Sequence, residues 1–395
     1  MNDVDRIACH PSVRAAMNLY REDLDSICEQ IIRIQQIPAP TFSETDRAVY
    51  IQERFETLGL VDINRDSLNN VFGRLSGENP QGRPALVISA HLDTVFPHET
   101  DLTTRLDGEL LYGPGIADNS TGVAGLLILA DSLSRFGLRP AADVWFVANA
   151  AEEGLGDLRG MRAVVDRFGS RALYVVVEGG FYGQLAHEAV GVRRYRIDVT
   201  ALGGHSWGEF GSPSAIHVLG RLIAAIDDLS VPENPKTTYN IGVIEGGFSI
   251  NTIAPWARLW LDLRSADGQA LNRLVDQAQT IVRNLNRFHS ERGTGVKLVS
   301  ELVGNRPAGA IDRHSPIVQW ADAALRHVGC DQVRYIISST DANIPLSRGY
   351  PAVCLGLTKS GNSHRLDEYI ELSHLPAGLG QLLLITLAAA GYKGA

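Results

Sequence analysis

Several features that would assign this chain to a particular class are scarce or missing. The 395 residues include only four cysteines, which form no C-x-x-C pair and are too few for a disulfide framework. Basic residues form no run and the formal net charge is −9, which argues against nucleic acid or an anionic membrane as the main partner. The longest apolar stretches, such as residues 122–130, fall far short of the ~20 residues of a membrane span.

The N-terminal segment is also without the apolar core of a signal peptide, so we predict a cytoplasmic protein. What remains is the composition of an ordinary globular protein, with 45% hydrophobic and 21% charged residues. At roughly 100–200 residues per domain, the length predicts two or three domains.

The first half of the chain alternates strand patterns with helix patterns, which predicts an α/β fold. Short, nearly all-apolar runs at 84–90, 144–148 and 173–177 are typical of strands buried on both faces of a mostly parallel sheet. One amphipathic helix is expected to end near Leu58, with Thr41 and Ser43 as candidate N-caps, and another over 119–136.

A different pattern begins near residue 192. Residues 194–201 alternate strictly between apolar and polar, as in a strand with one solvated face. A helix with Ser212 as N-cap and Pro213 at its first position follows, and then two strands, a helix and a strand. This β-α-β-β-α-β order predicts a ferredoxin-like domain at 191–303, inserted into a larger α/β domain formed by 1–190 and 304–395.

Side chains that bind metals follow several of the apolar strands. In open α/β sheets, ligands bind beyond the carboxyl ends of the strands, so we expect these side chains to gather there. Imidazole combined with carboxylate suits Zn²⁺, and carboxylates can bridge two metals. The five candidate ligands are His91, Asp118, Glu153, Glu178 and His364.

A charge count for these five side chains supports two metals. The three carboxylates contribute −3, two Zn²⁺ would add +4 and one bridging hydroxide −1, so the cluster would be neutral. Without metal, the same carboxylates and Glu152 would crowd one desolvated pocket, which is costly. We therefore predict two zinc ions per chain, with Mn²⁺ or Co²⁺ as alternatives.

The ordered set resembles the M20 family of metallopeptidases and amidohydrolases, from His91 to the C-terminal helix and including the inserted domain. The resemblance implies a zinc-exopeptidase-like catalytic domain with an inserted lid and dimerisation domain. It implies that His91 and Glu178 bind one zinc, that Glu153 and His364 bind the other, and that Asp118 bridges the two.

Roles for neighbouring residues follow from the same resemblance. Asp93 would hold the His91 ring. Glu152 would be the general base, which takes a proton from the metal-bound water and passes it to the leaving nitrogen. A cis peptide bond after Asp118 is also implied.

Three residues of the inserted domain match the family as well. His205, in the run Gly203-Gly204-His205-Ser206, would reach the active site of a partner subunit and stabilise the oxyanion. Asn251 and Arg264 would hold the carboxylate end of the substrate, since arginine forms a bidentate fork. The His205 role implies a homodimer. The run 339–342 also resembles the family, without an assigned role.

The function implied is hydrolysis of an amide bond in a small peptide, such as a di- or tripeptide. The alternative is deacylation of an N-acyl amino acid by the same residues. The expected partners are therefore such a substrate and a second copy of the chain, with no nucleic acid and no membrane.

Four other interpretations fit less well. Residues 204–208 match G-x-S-x-G, with Asp341 and His364 or His374 downstream, but the preceding strand has a charged face and no helix follows directly. M28-type aminopeptidases lack an inserted domain, whereas here 186 positions separate residues 178 and 364. The glycine-rich turns do not continue as G-x-G-x-x-G. A non-catalytic paralogue would have lost Glu152 or a ligand, and none is lost.

Overall fold

The computed structural model describes residues 2–392, which divide into two compact units. Unit 1 contains the described residues up to Ala189 and from Ala310 onward, and unit 2 is Val190–Gly309. In chain order, the helices are α1 Asp3–Ala8, α2 Pro11–Glu22, α3 Leu24–Gln35, α4 Thr45–Thr57, α5 Thr121–Arg135, α6 Arg159–Phe168, α7 Ala215–Asp227, α8 Gly268–Glu291, α9 Pro316–His327, α10 Asn343–Ser347 and α11 Leu375–Ala389.

The strands are numbered in the same way. They are β1 Val61–Arg65, β2 Val71–Leu75, β3 Ala85–His91, β4 Arg105–Asp107, β5 Leu110–Tyr112, β6 Val144–Asn149, β7 Ala172–Glu178, β8 Gln184–Ala189, β9 Gly191–Thr200, β10 Gly204–His205, β11 Thr237–Gly246, β12 Thr252–Ile253, β13 Trp256–Ser265, β14 Lys297–Arg306, β15 Gly309–Ala310, β16 Arg334–Ser338, β17 Ala352–Gly356, β18 Ser360–Gly361 and β19 Tyr369–Glu371.

The main sheet of unit 1 runs in the order β1-β2-β6-β3-β7-β17-β8, with β16 also paired to β8. The central strands β6, β3, β7 and β17 are parallel neighbours and are buried almost throughout. Apolar side chains of α5 and α11 pack on one face, and those of α6 and α10 on the other. The predicted α/β class with a mostly parallel sheet is confirmed. The nearly all-apolar runs form its central strands, which helices cover on both faces.

The C-terminal helix is longer and more apolar than the runs considered in the sequence. Among residues 2–392, one helical stretch, Leu372–Ala389, is long and apolar enough to cross a membrane by length and composition. The expectation that apolar stretches fall far short of a span was therefore wrong. However, 67% of this stretch is buried inside the protein, as in a core helix.

Unit 2 contains a four-stranded antiparallel sheet in the order β11-β13-β9-β14. Helices α7 and α8 cover one face, where Ile197 and Val199 of β9 are buried. On the other face Asp198 accepts hydrogen bonds from Arg196 and Arg258. The chain order β9-α7-β11-β13-α8-β14 is ferredoxin-like, and the predicted alternation along β9 is confirmed.

Two predicted helix starts were wrong. Helix α4 begins at Thr45 after Glu44, without a side-chain cap from Thr41 or Ser43. Helix α7 begins at Ala215, later than the predicted start at Ser212-Pro213. At the first helix the reason is visible: the Thr41 hydroxyl donates instead to the Asp93 carboxylate, 2.9 Å away.

Candidate active site

The five predicted metal ligands lie in unit 1, three of them at the carboxyl ends of its parallel strands. His91 is the last residue of β3 and Glu178 the last of β7, while Glu153 follows the end of β6. These three strands are adjacent, so the chain directions alone bring their ends together. Asp118 precedes α5, and His364 follows β18.

Asp118 lies between the two histidines. Its Oδ1 is 3.0 Å from His91 Nε2, and its Oδ2 is 3.2 Å from His364 Nε2. A second carboxylate accompanies each histidine: Glu178 Oε2 is 3.6 Å from His91 Nε2, and Glu153 Oε1 is 3.1 Å from His364 Nε2. The result is two imidazole–carboxylate pairs that share one aspartate, whose following peptide bond to Asn119 is cis, as the resemblance implied.

This donor set fits divalent metal ions. His91, Asp118 and Glu153 each offer a ligand atom, and these atoms all lie within 4.8 Å of one another. Two imidazole nitrogens and three carboxylates are the ligand types that zinc accepts, and a carboxylate with each oxygen facing a different histidine can bridge two ions.

The crowded carboxylates and imidazoles shift one another's pKa values. Hydrogen bonds with Asp118 and Glu153 raise the pKa of His364 to about 10. Burial opposes protonation of His91, yet its acidic neighbours raise its pKa well above the usual range. Burial raises the pKa of Glu178 to about 7. Burial also favours a higher pKa for Asp118, but contacts with both histidines hold it well below the usual range. The cluster therefore favours positive charge at its centre.

We expect the metal-free protein to lose stability as the pH rises from about 6.5 to about 10. The folded-state pKa of His364, about 10, lies above the ordinary 6.5, and that of Glu178, about 7, lies above 4.5. The hydrogen-bonded, protonated His364 stabilises the fold fully below 6.5, and this contribution is lost as the pH rises through about 10. Burial of Glu178 instead costs stability as that carboxyl ionises, between 4.5 and about 7. Thermal unfolding with a chelator across this range measures the effect.

A matched pair of variants isolates His364. His364→Asn should flatten the upper part of the stability curve, whereas the same change at the exposed His314 should leave it unaltered. Saturating metal should also flatten the curve in the wild type, because the ligands then hold metal rather than protons. A stability that stays level or increases over this interval would contradict the expectation.

Asp93 is fully buried and connects the turns that carry the candidate ligands. Its Oδ1 accepts the backbone N–H of Glu152 and its Oδ2 that of Glu153, both at 2.9 Å. His91 Nδ1 lies 3.0 Å from the Asp93 carbonyl oxygen and 3.6 Å from its carboxylate. The His91 ring is thus held by the Asp93 backbone, while the carboxylate fixes the 152–153 turn.

Glu152 lies in the same buried region and is 5% exposed. Burial raises the pKa of the Cys354 thiol well above its usual range, and the negative charges of Glu178, Asp341 and Glu152 raise it further. These three carboxylates therefore all lie near the Cys354 thiol. Asp341, to which the sequence assigned no role, accepts a 2.7 Å hydrogen bond from Asn149 Nδ2 at the end of β6.

Glu44 and Arg47, two buried residues at the start of α4, support the site and were missed in the sequence. Glu44 Oε1 accepts the N–H of Ala151 at 3.1 Å, next to the Glu152 turn. Arg47 is 1% exposed and donates to the Leu92 carbonyl at 2.8 Å. Helical spacing could have indicated that Arg47 is buried, since it lies one turn before Ile51 on the buried face of α4.

The other predicted residues lie in unit 2, where His205 and Asn251 are neighbours. Strands β10 and β12 pair, and Ser206 N–H donates to the Asn251 carbonyl at 3.0 Å. His205 Nδ1 accepts the N–H groups of Trp207 and Gly208, which leaves Nε2 as the ring nitrogen that can donate. Arg264 is on β13, where its Nε donates to Asp262 at 2.6 Å.

The serine-nucleophile alternative does not fit this geometry. Gly204–His205 is a two-residue antiparallel strand, and the next helix starts at Ala215. An elbow that passes from a buried parallel strand directly into a helix is therefore absent at Ser206.

The chain is similar to several known proteins. A model described as "Peptidase family M20/M25/M40" matches residues 87–386. The chain is 24% identical to an N-formyl-4-amino-5-aminomethyl-2-methylpyrimidine deformylase of Halalkalibacterium halodurans, over 91% of this chain and 93% of that protein. It is 26% identical to an acetylornithine deacetylase of Myxococcus xanthus, over 65% and 76%.

Among solved structures, a tripeptidase from Staphylococcus aureus has a TM-score of 0.78. It is 21% identical, and the match covers 93% of this chain and 98% of that one. At this identity, the structural similarity establishes the fold alone.

Proposed function

We propose, from the premise that this chain belongs to the peptidase family M20/M25/M40, that it hydrolyses the amide bond of di- and tripeptides at a site for two zinc ions. Family membership makes it a metallopeptidase or amidohydrolase of a metal-dependent family. The two zinc ions and the peptide substrates are the proposal. The observation that carries it is Asp118, whose two carboxylate oxygens face two separate imidazole–carboxylate pairs.

In this proposal His91 and Glu178 would hold one metal, Glu153 and His364 would hold the other, and Asp118 would serve both. When bound, the metals would polarise the amide carbonyl and lower the pKa of a coordinated water. Mn²⁺ and Co²⁺ are alternatives, since they accept the same ligand types.

Glu152 moves the proton. Its carboxylate accepts a proton from the attacking water and delivers it to the leaving nitrogen, so that the amine departs uncharged. Asp93 supports this step because its carboxylate holds the Glu152 backbone N–H at 2.9 Å. A fixed backbone limits where the Glu152 carboxylate can go during proton transfer.

The residues of unit 2 would bind substrate. We propose that Asn251 and Arg264 hold the substrate carboxylate and that His205, with its proton on Nε2, donates to the oxyanion. The His205 role implied by the family requires a second copy of the chain, so we also propose a homodimer.

Deacylation of N-acyl amino acids is the second candidate. The specific observation favouring it is that two of the relatives are named as a deformylase and a deacetylase. Both candidate reactions break an amide bond and need the same proton transfers.

Metal analysis combined with a substrate panel tests the proposal. We expect about two zinc ions per purified chain, activity lost with a chelator and restored by zinc, and faster hydrolysis of dipeptides than of N-acetyl amino acids. His364→Ala should lower the metal content, and the same change at exposed His314 should not. Preference for N-acetyl substrates would favour the second candidate. A chain that takes up no metal and is inhibited by a serine-directed reagent would contradict both.

A further inference from the structure

Glu368 is a fully buried carboxylate beside the candidate site, four positions after His364 and directly before β19. It is not among the candidate ligands. Burying a carboxylate is costly unless hydrogen bonds compensate for lost hydration. Its partners therefore indicate what it does.

The partners of Glu368 are backbone N–H groups from two distant segments. Its Oε1 accepts the N–H of Ala117 at 2.8 Å and that of Asp118 at 3.0 Å. Its Oε2 accepts the N–H of His364 at 3.2 Å. A single carboxylate thus contacts the backbone of two candidate ligands, one just before α5 and one near the C-terminal end of the chain.

The backbone is irregular at both candidate ligands. Asp118 and Asn119 have non-helical backbone angles just before α5, and His364 has a φ of 66°, in the left-handed region that non-glycine residues rarely occupy. The side-chain contact that depends on both segments, between His364 Nε2 and Asp118 Oδ2, measures 3.2 Å. Small movements of either backbone would separate these atoms.

We propose that Glu368 is a positioning residue, which holds the bridging aspartate and His364 at the separation that metal binding requires. This rests on the ligand assignment of the proposed function. Removing a residue that hydrogen-bonds to a metal ligand commonly lowers the metal affinity by about 10–100-fold. Glu368 differs from an ordinary partner of a ligand because it acts on the backbone of two ligands rather than on one side chain.

Glu368→Gln is the main test variant, because it keeps the size of the side chain. An amide has only one oxygen, so its NH₂ group must face the N–H of either the 117–118 segment or His364. Glu368→Asp is the second variant, since the shorter side chain should reach only one of the two segments. Glu109→Gln makes the same chemical change at an exposed position of unit 1 and is the control.

Two measurements use the full chain. Hydrogen–deuterium exchange of the metal-free protein reports on peptides that contain the amides of 117–118 and of 364. Competition with a chromophoric chelator, using zinc alone as the probe, gives the metal affinity. We expect faster exchange in one or both of these peptides and an affinity about 10–100-fold weaker in Glu368→Gln, with a smaller change in Glu368→Asp and none in the control.

The outcomes separate positioning from a merely structural role. Unchanged exchange at both peptides, or unchanged zinc affinity, would overturn the inference. Faster exchange spread evenly over unit 1, with normal zinc affinity of the folded fraction, would show a structural anchor only and would overturn it too. If the wild type itself binds no zinc, the proposed function fails, and the inference that rests on it fails for that separate reason.

Discussion

Replacing Glu152 by glutamine is expected to lower kcat by about 10²–10⁴-fold while leaving the metal content unchanged. Glutamine has nearly the same shape, but it cannot take a proton from water and return it to the leaving nitrogen. Because Glu152 is not a candidate ligand and Asp93 holds its backbone N–H, which the substitution keeps, the metal ligands should stay in place. Steady-state kinetics and elemental analysis on the same sample measure both effects, and KM should change little.

The neighbouring residue provides a matched contrast. Glu153→Gln makes the same chemical change one position later, on the carboxylate that lies 3.1 Å from His364 Nε2, and should reduce the metal content. A Glu152→Gln protein that keeps most of its activity would remove Glu152 from the mechanism. One that loses metal as readily as Glu153→Gln would show that Glu152 is a ligand instead.

Replacing Asp118 by asparagine is expected to have the largest effect on metal binding. Asparagine has one oxygen and one NH₂ group, so only one of the two histidines would still face a side-chain oxygen at position 118. The chain should then retain about one metal ion or none, and activity should fall by at least about 10³-fold, because two-metal hydrolysis needs both ions. Elemental analysis after gel filtration, with kinetics at saturating zinc, measures the change.

Exposed Asp101 serves as the control for this variant, since Asp101→Asn removes a carboxylate of the same unit that accepts hydrogen bonds from the nearby Thr103. Its metal content and kcat should match the wild type. An Asp118→Asn protein that still holds two metals would exclude a bridging role for Asp118. Each imidazole–carboxylate pair would then bind its own ion.

The sequence by itself determined the fold class and the chemistry of the candidate site. The runs that became β3, β6 and β7 are nearly all apolar, as is typical of strands that are covered on both faces. His91 and Glu178 end two of these strands, so strand direction alone predicted that they would meet. The ordered ligand set also led to the M20 family, which the family comparison confirms.

Only the tertiary structure decided how the candidate ligands are held. Glu368 contacts Asp118 across 250 positions, and Arg47 of α4 donates to the carbonyl of Leu92, which follows β3. Thr41 looked like a helix cap, yet its hydroxyl donates to Asp93. Periodicity reports which face of a single element is buried, whereas these hydrogen bonds join segments that are far apart in sequence. In the sequence, a charged residue that becomes buried therefore cannot be distinguished from an exposed one. Its hydrogen-bond partners are apparent only in the tertiary structure.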